Sequence, residues 1–264
     1  GGILSDGASL WEELQPIEQL LAEFKSDLAA GQPEVFYSEV LNDGEASVNT
    51  AFDVSSIPPY PFSDHDLSTG AFVVIDPATD KSKADYVAIG GFTIIEGRPV
   101  LRKLIEARLS PGDTIRDAAK MALSIGASLI VIESVAYQYS LKYWTETVFE
   151  QLGLHGIQVV DIYPGGTAKN SRILTMFRQL VPSKTDLSSQ LPDIIIHPDV
   201  KGHVTSRIVE FNPLKTNNTD NVLDLLTYAP RVMAEFGSLI SINNPLEDSS
   251  MDVPLLPEHE TSAI

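Results

Sequence analysis

The sequence predicts an α/β protein: a mixed sheet with helices on both faces, preceded by a helical N-terminal arm. Three observations predict it. Short apolar runs rich in Val and Ile recur along residues 68–237, each closed by turn residues. From residue 110 onward, stretches with helical spacing alternate with those runs. The flanks at 31–67 and beyond 243 carry no such pattern and are rich in acids and Pro.

The elements follow in order. "LWEELQPIEQLLAEFKSDLAA" has apolar residues at helical spacing and stops at Gly31. "QPEVFYSEVLNDGEASVNTAF" reads as an irregular arm, and "SSIPPYPFSDHD" as a linker. "AFVVIDP" is the first strand. "DYVAIGGFTIIEGRPVLRKLIEARL" is two more strands, joined by a turn at Glu96-Gly97-Arg98-Pro99. Gly90-Gly91 inside the second strand predicts a bulge or a close backbone approach. "SPGDTIRDAAKMALSIG" is a helix with a Ser-Pro start and a Gly stop. "ASLIVIESV" lacks period-2 alternation, so it is a fourth strand buried on both faces. "SLKYWTETVFEQLG" is a helix, "IQVVDIYP" a fifth strand and "TAKNSRILTMFRQLV" a third helix of the domain. "DIIIHP" and "SRIVEFN" read as short strands flanking a polar loop, and "NTDNVLDLLTYAPRVMAEF" as the closing helix.

Three strands, then alternating helices and strands, then a late helix, is the order of RNase H-like folds. The domain is placed at 68–240. Residues 1–67 form the N-terminal helix, arm and linker, and 241–264 an acidic tail that reads as disordered. The opening "GGILSDGASLW" has no Met, as in a processed or cloned fragment of a longer chain.

Composition narrows the function classes. With 264 residues, 43% hydrophobic, the chain can bury a sizeable core. It has no cysteine, which excludes disulfides and Cys-ligated zinc. The longest apolar runs are too short to span a bilayer, so no membrane partner is expected. No signal peptide is visible. The net charge of −18 is uneven: residues 1–67 hold 13 acids and one base, residues 238–264 hold 5 acids and no base, and the middle holds 18 acids and 17 bases. Acidic arms argue against a protein that coats nucleic acid. A nearly neutral middle leaves room for a metal to offset some of its acids.

Four acids carry the chemistry. Asp76 closes the first strand, and Glu133 sits near the end of the fourth. A buried, unpaired carboxylate costs several kcal/mol, so each must meet a cation, a donor network or a metal. A salt bridge explains either one alone. Two on neighbouring strands point to a shared site. In "TDNVLDLLTY", Asp220 and Asp224 lie four apart and share a helix face, although Asp220 can also serve as a plain N-cap. Converging carboxylates without Cys or a His cluster make a hard oxygen site suited to Mg²⁺ or Mn²⁺. Two ions about 4 Å apart, bridged by one carboxylate, suit in-line phosphoryl chemistry. Asp76 is the expected bridging ligand.

The segments "FVVIDPATDKSKADYVAI", "LIVIESVAYQ", "TAKNSRI" and "TDNVLDLLTYA" together resemble the nuclease domain of large terminase subunits of tailed bacteriophages. "FYSEVLNDG" resembles the stretch that precedes that domain, so the resemblance spans about residues 35–237. It implies a metal-dependent endonuclease that cuts concatemeric viral double-stranded DNA during genome packaging, with two Mg²⁺ or Mn²⁺ ions. It implies an ATPase domain of the same full-length chain, portal and small terminase subunit as partners, and the host cytoplasm as the place of action. The family's last motif often has two adjacent acids followed by a third. Here the second position is Asn221, so Asp220 or Asp224 is the third ligand, with Asp224 preferred. No G-x-x-x-x-G-K-[ST] loop occurs in the chain, so the ATPase half is not in this sequence.

Bases supply a phosphate-binding reading. Lys169 and Arg172 open a helix after a Gly-Gly turn, where a helix N-terminus favours phosphate. Lys184, Lys201, His203, Arg207 and Lys215 dot what reads as loops before the closing helix and can track a DNA backbone. Asp80 and Asp85 read as turn residues, with Asp80 near enough to Asp76 to reach a metal-bound water. Tyr137 and Gln138 suit substrate contact or packing equally, and His155 and His197 read as edge residues. Three alternatives remain. A resolvase or transposase of the same fold should be more basic. A phosphotransferase of the actin and sugar-kinase fold needs a glycine-rich loop that "DPATDKSKAD" lacks. A non-catalytic packaging-motor assembly module suits the acidic arms but leaves Asp76 and Glu133 unexplained.

Overall fold

Six strands form one sheet in the order β5-β4-β1-β2-β3-β6. They are β1 (Gly70–Asp76), β2 (Val87–Ile95), β3 (Arg98–Ala107), β4 (Leu129–Glu133), β5 (Gln158–Ile162) and β6 (Ile195–Ile196). β2 is antiparallel to β1 and to β3, while β1–β4, β4–β5 and β3–β6 are parallel. The helices are α1 (Ile17–Ala29), α2 (Pro111–Ile125), α3 (Tyr139–Gln151), α4 (Lys169–Gln179), α5 (Pro198–Glu210) and α6 (Asn221–Phe236). The structure, a computed structural model, describes residues 13, 16–29, 52–63, 66–77, 86–134, 139–182, 191–213 and 218–240. The arm at 31–51, the tail from 241, and the positions Asp80, Asp85, Tyr137, Gln138, Lys184 and Lys215 lie outside the described residues.

Strand period decides which helices cover which face. β1, β2 and β4 are buried at every position, because both faces are covered. Val73, Ile75, Ile89, Ile130 and Ile132 point into a core shared with α2 and α3. Phe72, Val74, Phe92, Leu129 and Val131 point the other way, into a core shared with α4, α5 and α6. Phe72 and Phe92 stack there, centroids 4.9 Å apart. Asp76 has the parity of Phe72 and Val74, and Glu133 that of Leu129 and Val131. Both acids therefore project toward the α4–α6 side.

Turns and caps behave as their residues require. Glu96 and Gly97 take φ of +50° and +73°, the paired left-handed conformation of a two-residue hairpin turn. The β2–β3 register shifts opposite Gly91 and Phe92, where Arg102 is left over, so the bulge lies on β3, across from the glycine pair. A Cβ on Gly90 would lie 2.6 Å from Leu225 Cδ2, and one on Gly91 2.9 Å from Met121 Sδ. The missing side chains let α6 and α2 press onto opposite faces of β2. Ser110 caps α2 by accepting from the Asp113 amide, and Gly126 closes it at φ +65°.

Two readings are corrected. "SRIVEFN" is not a strand. Its residues up to Glu210 complete α5, and "DIIIHP" keeps only the two-residue β6. His197 caps α5 through its ring, with Pro198 in the first turn, and Val200, Val204 and Ile208 recur at four-residue spacing on the buried side. Lys201, His203 and Arg207 are thus on a helix, not in loops. Residues 52–63, which take in the end of the stretch read as arm and most of the stretch read as linker, pack on the domain. Ile57 is part of the core, Phe52 lies against Phe177 with centroids 5.1 Å apart, and Tyr60 and Phe62 cover Ile95, Val100 and Ile195.

Candidate active site

β1 and β4 run parallel with Ile75 opposite Ile132, so the next residues, Asp76 and Glu133, end side by side. α6 crosses the same face and brings Asp224, one turn into the helix. One oxygen from each of these three carboxylates lies within 4.8 Å of the others. All three residues are buried, at 4%, 6% and 2% exposure, which an ordinary acidic surface cluster is not. Among the described residues this is the one such grouping of metal-ligating side chains.

Asp220 stands at the start of α6 but makes no side-chain capping bond. Its carboxylate instead pairs with Lys169 Nζ at 2.8 Å, and it is not part of the three-acid group. Lys169 also reaches Asp224 Oδ2 at 3.4 Å. Arg172 Nη2 donates to both oxygens of Asp224, at 2.6 and 2.9 Å, and Nη1 to the Thr167 carbonyl. The first turn of α4 thus supplies two cations to the acids of α6.

Tyr228, one turn beyond Asp224, donates its hydroxyl to Glu133 Oε1 at 2.7 Å. Its ring is fully buried, and the guanidinium groups of Arg172 and Arg231 each lie 5.8 Å from its centroid. Sequence reading missed this residue: an aromatic at helical spacing is first of all a core residue. Its hydroxyl's partner is set by packing between α6 and β4.

Electrostatics bear on Asp76. Burial, reinforced by the neighbouring Glu133 charge and a hydrogen bond to it, holds its carboxyl well above the usual range. Its Oδ2 is buried and has no hydrogen-bond partner. Burial pulls Lys169 down, but Asp224, Asp76 and Asp220 together outweigh it and hold the ammonium above its ordinary value. Burial, with Glu133 and Asp224 nearby, pushes the Tyr228 phenol up, so it stays a donor at neutral pH.

The remaining bases sit elsewhere. Lys201 donates to the carbonyls of Ile57 and Pro58. Arg207 and His203 meet Glu106 on β3 at 2.8 and 2.6 Å. Glu106 shares with Asp76 the same partner across the sheet, Ala88, so this group stands two strands from the acids. His197 is the α5 cap, and His155 is exposed after α3.

The donor set passes a test for a hard divalent cation. It is all carboxylate, it converges, and one of its oxygens is buried without a partner. A cation there would relieve both the stranded oxygen and the mutual repulsion of the acids.

No protein-family model and no curated protein matches the chain. Solved structures do. The nuclease domain of the human cytomegalovirus terminase, Mn-soaked and inhibitor-bound, superposes with a TM-score of 0.51 at 12% identity, covering 72% of this chain and 97% of that one. The nuclease domain of the large terminase subunit gp2 of bacterial virus Sf6 gives 0.44 at 11% identity, over 69% and 94%. The fowlpox virus Holliday junction resolvase gives 0.40 at 13% identity, over 63% and 99%. The cytomegalovirus likeness gives the fold, and the two below 0.5 add nothing to it. The chain has the RNase H-like fold that its order of elements predicts. Among the described residues no helix is long and apolar enough to cross a membrane.

Proposed function

We propose that this chain is the nuclease unit of a large terminase, a metal-dependent endonuclease that cuts concatemeric viral double-stranded DNA during packaging in the host cytoplasm. The observation that carries it is the buried convergence of Asp76, Glu133 and Asp224, with an unpartnered oxygen on Asp76. The nuclease unit is placed at 68–240, with the packed segment at 52–63 as its brace, between an acidic arm and an acidic tail. An ATPase domain of the same full-length chain, the portal and the small terminase subunit are the proposed partners.

Asp76, Glu133 and Asp224 would hold Mg²⁺ or Mn²⁺, two ions on the proposed reading. Such a site would supply activation of a water molecule and neutralisation of the charge that builds on the phosphate. The chain's own residues do the rest. β1 and β4 fix Asp76 and Glu133 as a rigid edge, and α6 closes the site with Asp224. Asp220, one turn earlier, holds Lys169 at the mouth. Lys169 is 40% exposed on its side chain, so its ammonium can face a DNA phosphate while staying paired. Arg172 braces Asp224 beside it. Lys184, Lys201, Arg207 and Lys215 are proposed as further contacts along the DNA backbone.

Plasmid DNA tests the reading. Cutting is expected with Mn²⁺ or Mg²⁺ and none in EDTA. Asp76→Asn, Glu133→Gln and Asp224→Asn should each abolish it, while Asp220→Asn should keep most of it, because Asp220 lies outside the triad. Undiminished cutting in chelator, or near-full activity in either strand-end variant, sinks the proposal.

A further inference from the structure

Resting on that reading of the site, we propose that Tyr228 is its positioning residue: its hydroxyl sets the orientation of Glu133, and through it the affinity of the site for a divalent cation. A phenylalanine would fill the same buried space without a hydroxyl to satisfy. The one polar atom on this ring is spent on a candidate ligand on another element, 95 residues away in sequence. A carboxylate at a strand end turns freely about its terminal bond, and a donor 2.7 Å from one oxygen removes that freedom. Outer partners of this kind fix ligand orientation.

The geometry couples two ligands through one helix. Tyr228 and Asp224 lie four apart on α6 and project on the same side. Seating α6 therefore delivers Asp224 directly and orients Glu133 through the phenol. The ring itself is held by Arg172 and Arg231. Arg231 Nη1 is anchored on the Tyr163 carbonyl just past β5, and Arg172 on Asp224. Tyr228 thus lies against two guanidinium groups that are themselves tied to α6 and to the end of β5 rather than to Glu133.

The test is calorimetric titration of the full chain with MnCl₂, for wild type and Tyr228→Phe. The dissociation constant should rise about tenfold or more in the variant, with helical circular dichroism unchanged. Cutting should need correspondingly more Mn²⁺ but come within about threefold of the wild-type rate at saturation. A merely structural role would lower the melting temperature and leave the Mn²⁺ affinity alone. Equal affinity in both proteins overturns the proposal. No Mn²⁺ binding by the wild type overturns the metal reading itself, a distinguishable result that takes this inference with it. Should Tyr228→Phe alone unfold, the Glu133→Gln background decides, since no bare buried carboxylate is left there. In that background the Phe substitution should change affinity by less than about twofold. A further tenfold loss would mean that Tyr228 acts through something other than Glu133.

Discussion

Asp76 is the residue at which stability and proposed activity pull apart. Its folded-state pKa is raised above the ordinary carboxylate value of 3.8, first by burial and then by Glu133. The native chain therefore keeps a proton that the unfolded chain gives up. Stability from this group is full below the unfolded pKa and is lost as pH rises from there toward the folded value, by up to about 1.4 kcal/mol per pH unit. Asn at this position is neutral throughout. In EDTA, Asp76→Asn should therefore melt above the wild type, and the gap should widen as pH is raised above about 4. Adding Mn²⁺ should close the gap by raising the wild type alone. Parallel melting curves across that range would show that Asp76 does not bear the buried charge described here.

At the scale of elements, what the sequence reveals depends on how local the cause is. β1 and β4 are legible because an apolar run ending in one acid is a short-range pattern. The close approach at Gly90-Gly91 is legible because glycine pairs have few other uses inside a strand. α5 is hidden: its cap is His197, its interior holds Gly202, and "SRIV" on its own suits a strand, so only docking on β3 decides it. The roles of Lys169 and Arg172 are half legible. Two bases at a helix start suggest phosphate, but their partners Asp220 and Asp224 are some 50 residues on. The contact between β2 and α6 offers a direct link from packing to site. A Cβ on Gly90 would meet Leu225 Cδ2 at 2.6 Å, Phe92 at 3.1 Å and Leu101 at 3.2 Å. Gly90→Ala should cost about 1–3 kcal/mol by overpacking and lift the start of α6, where Asp224 precedes Leu225. The measurable outcome is a lower melting temperature together with a higher Mn²⁺ requirement for cutting. Combined with Leu225→Ala, the loss should be smaller than the two single losses added. Strict additivity would mean that α6 does not rest on Gly90.

Over the whole molecule, charge is segregated from chemistry. Residues 1–67 and 238–264 hold 18 of the 36 acids and a single base, while the part between is almost balanced. A nuclease must approach a polyanion, and arms of the same sign as DNA oppose that approach within a Debye length, about 10 Å at 0.1 M salt. The two apolar layers of the described core are built from residues 52–240, which take in the inner ends of both acidic stretches: Phe52, Val54 and Ile57 on one side, Leu239 and Ile240 on the other. A chain cut to 52–240 should therefore keep its Mn²⁺-dependent cutting and melt close to the parent. It should also bind duplex DNA more tightly at about 50 mM salt, with the advantage shrinking toward about 300 mM as screening removes the repulsion. Fluorescence anisotropy with a labelled duplex, in Ca²⁺ to hold the DNA uncut, measures both affinities. An advantage that persists unchanged at high salt would mean that the arms cover the site sterically. Weaker binding by the shortened chain would mean that they contribute contacts of their own.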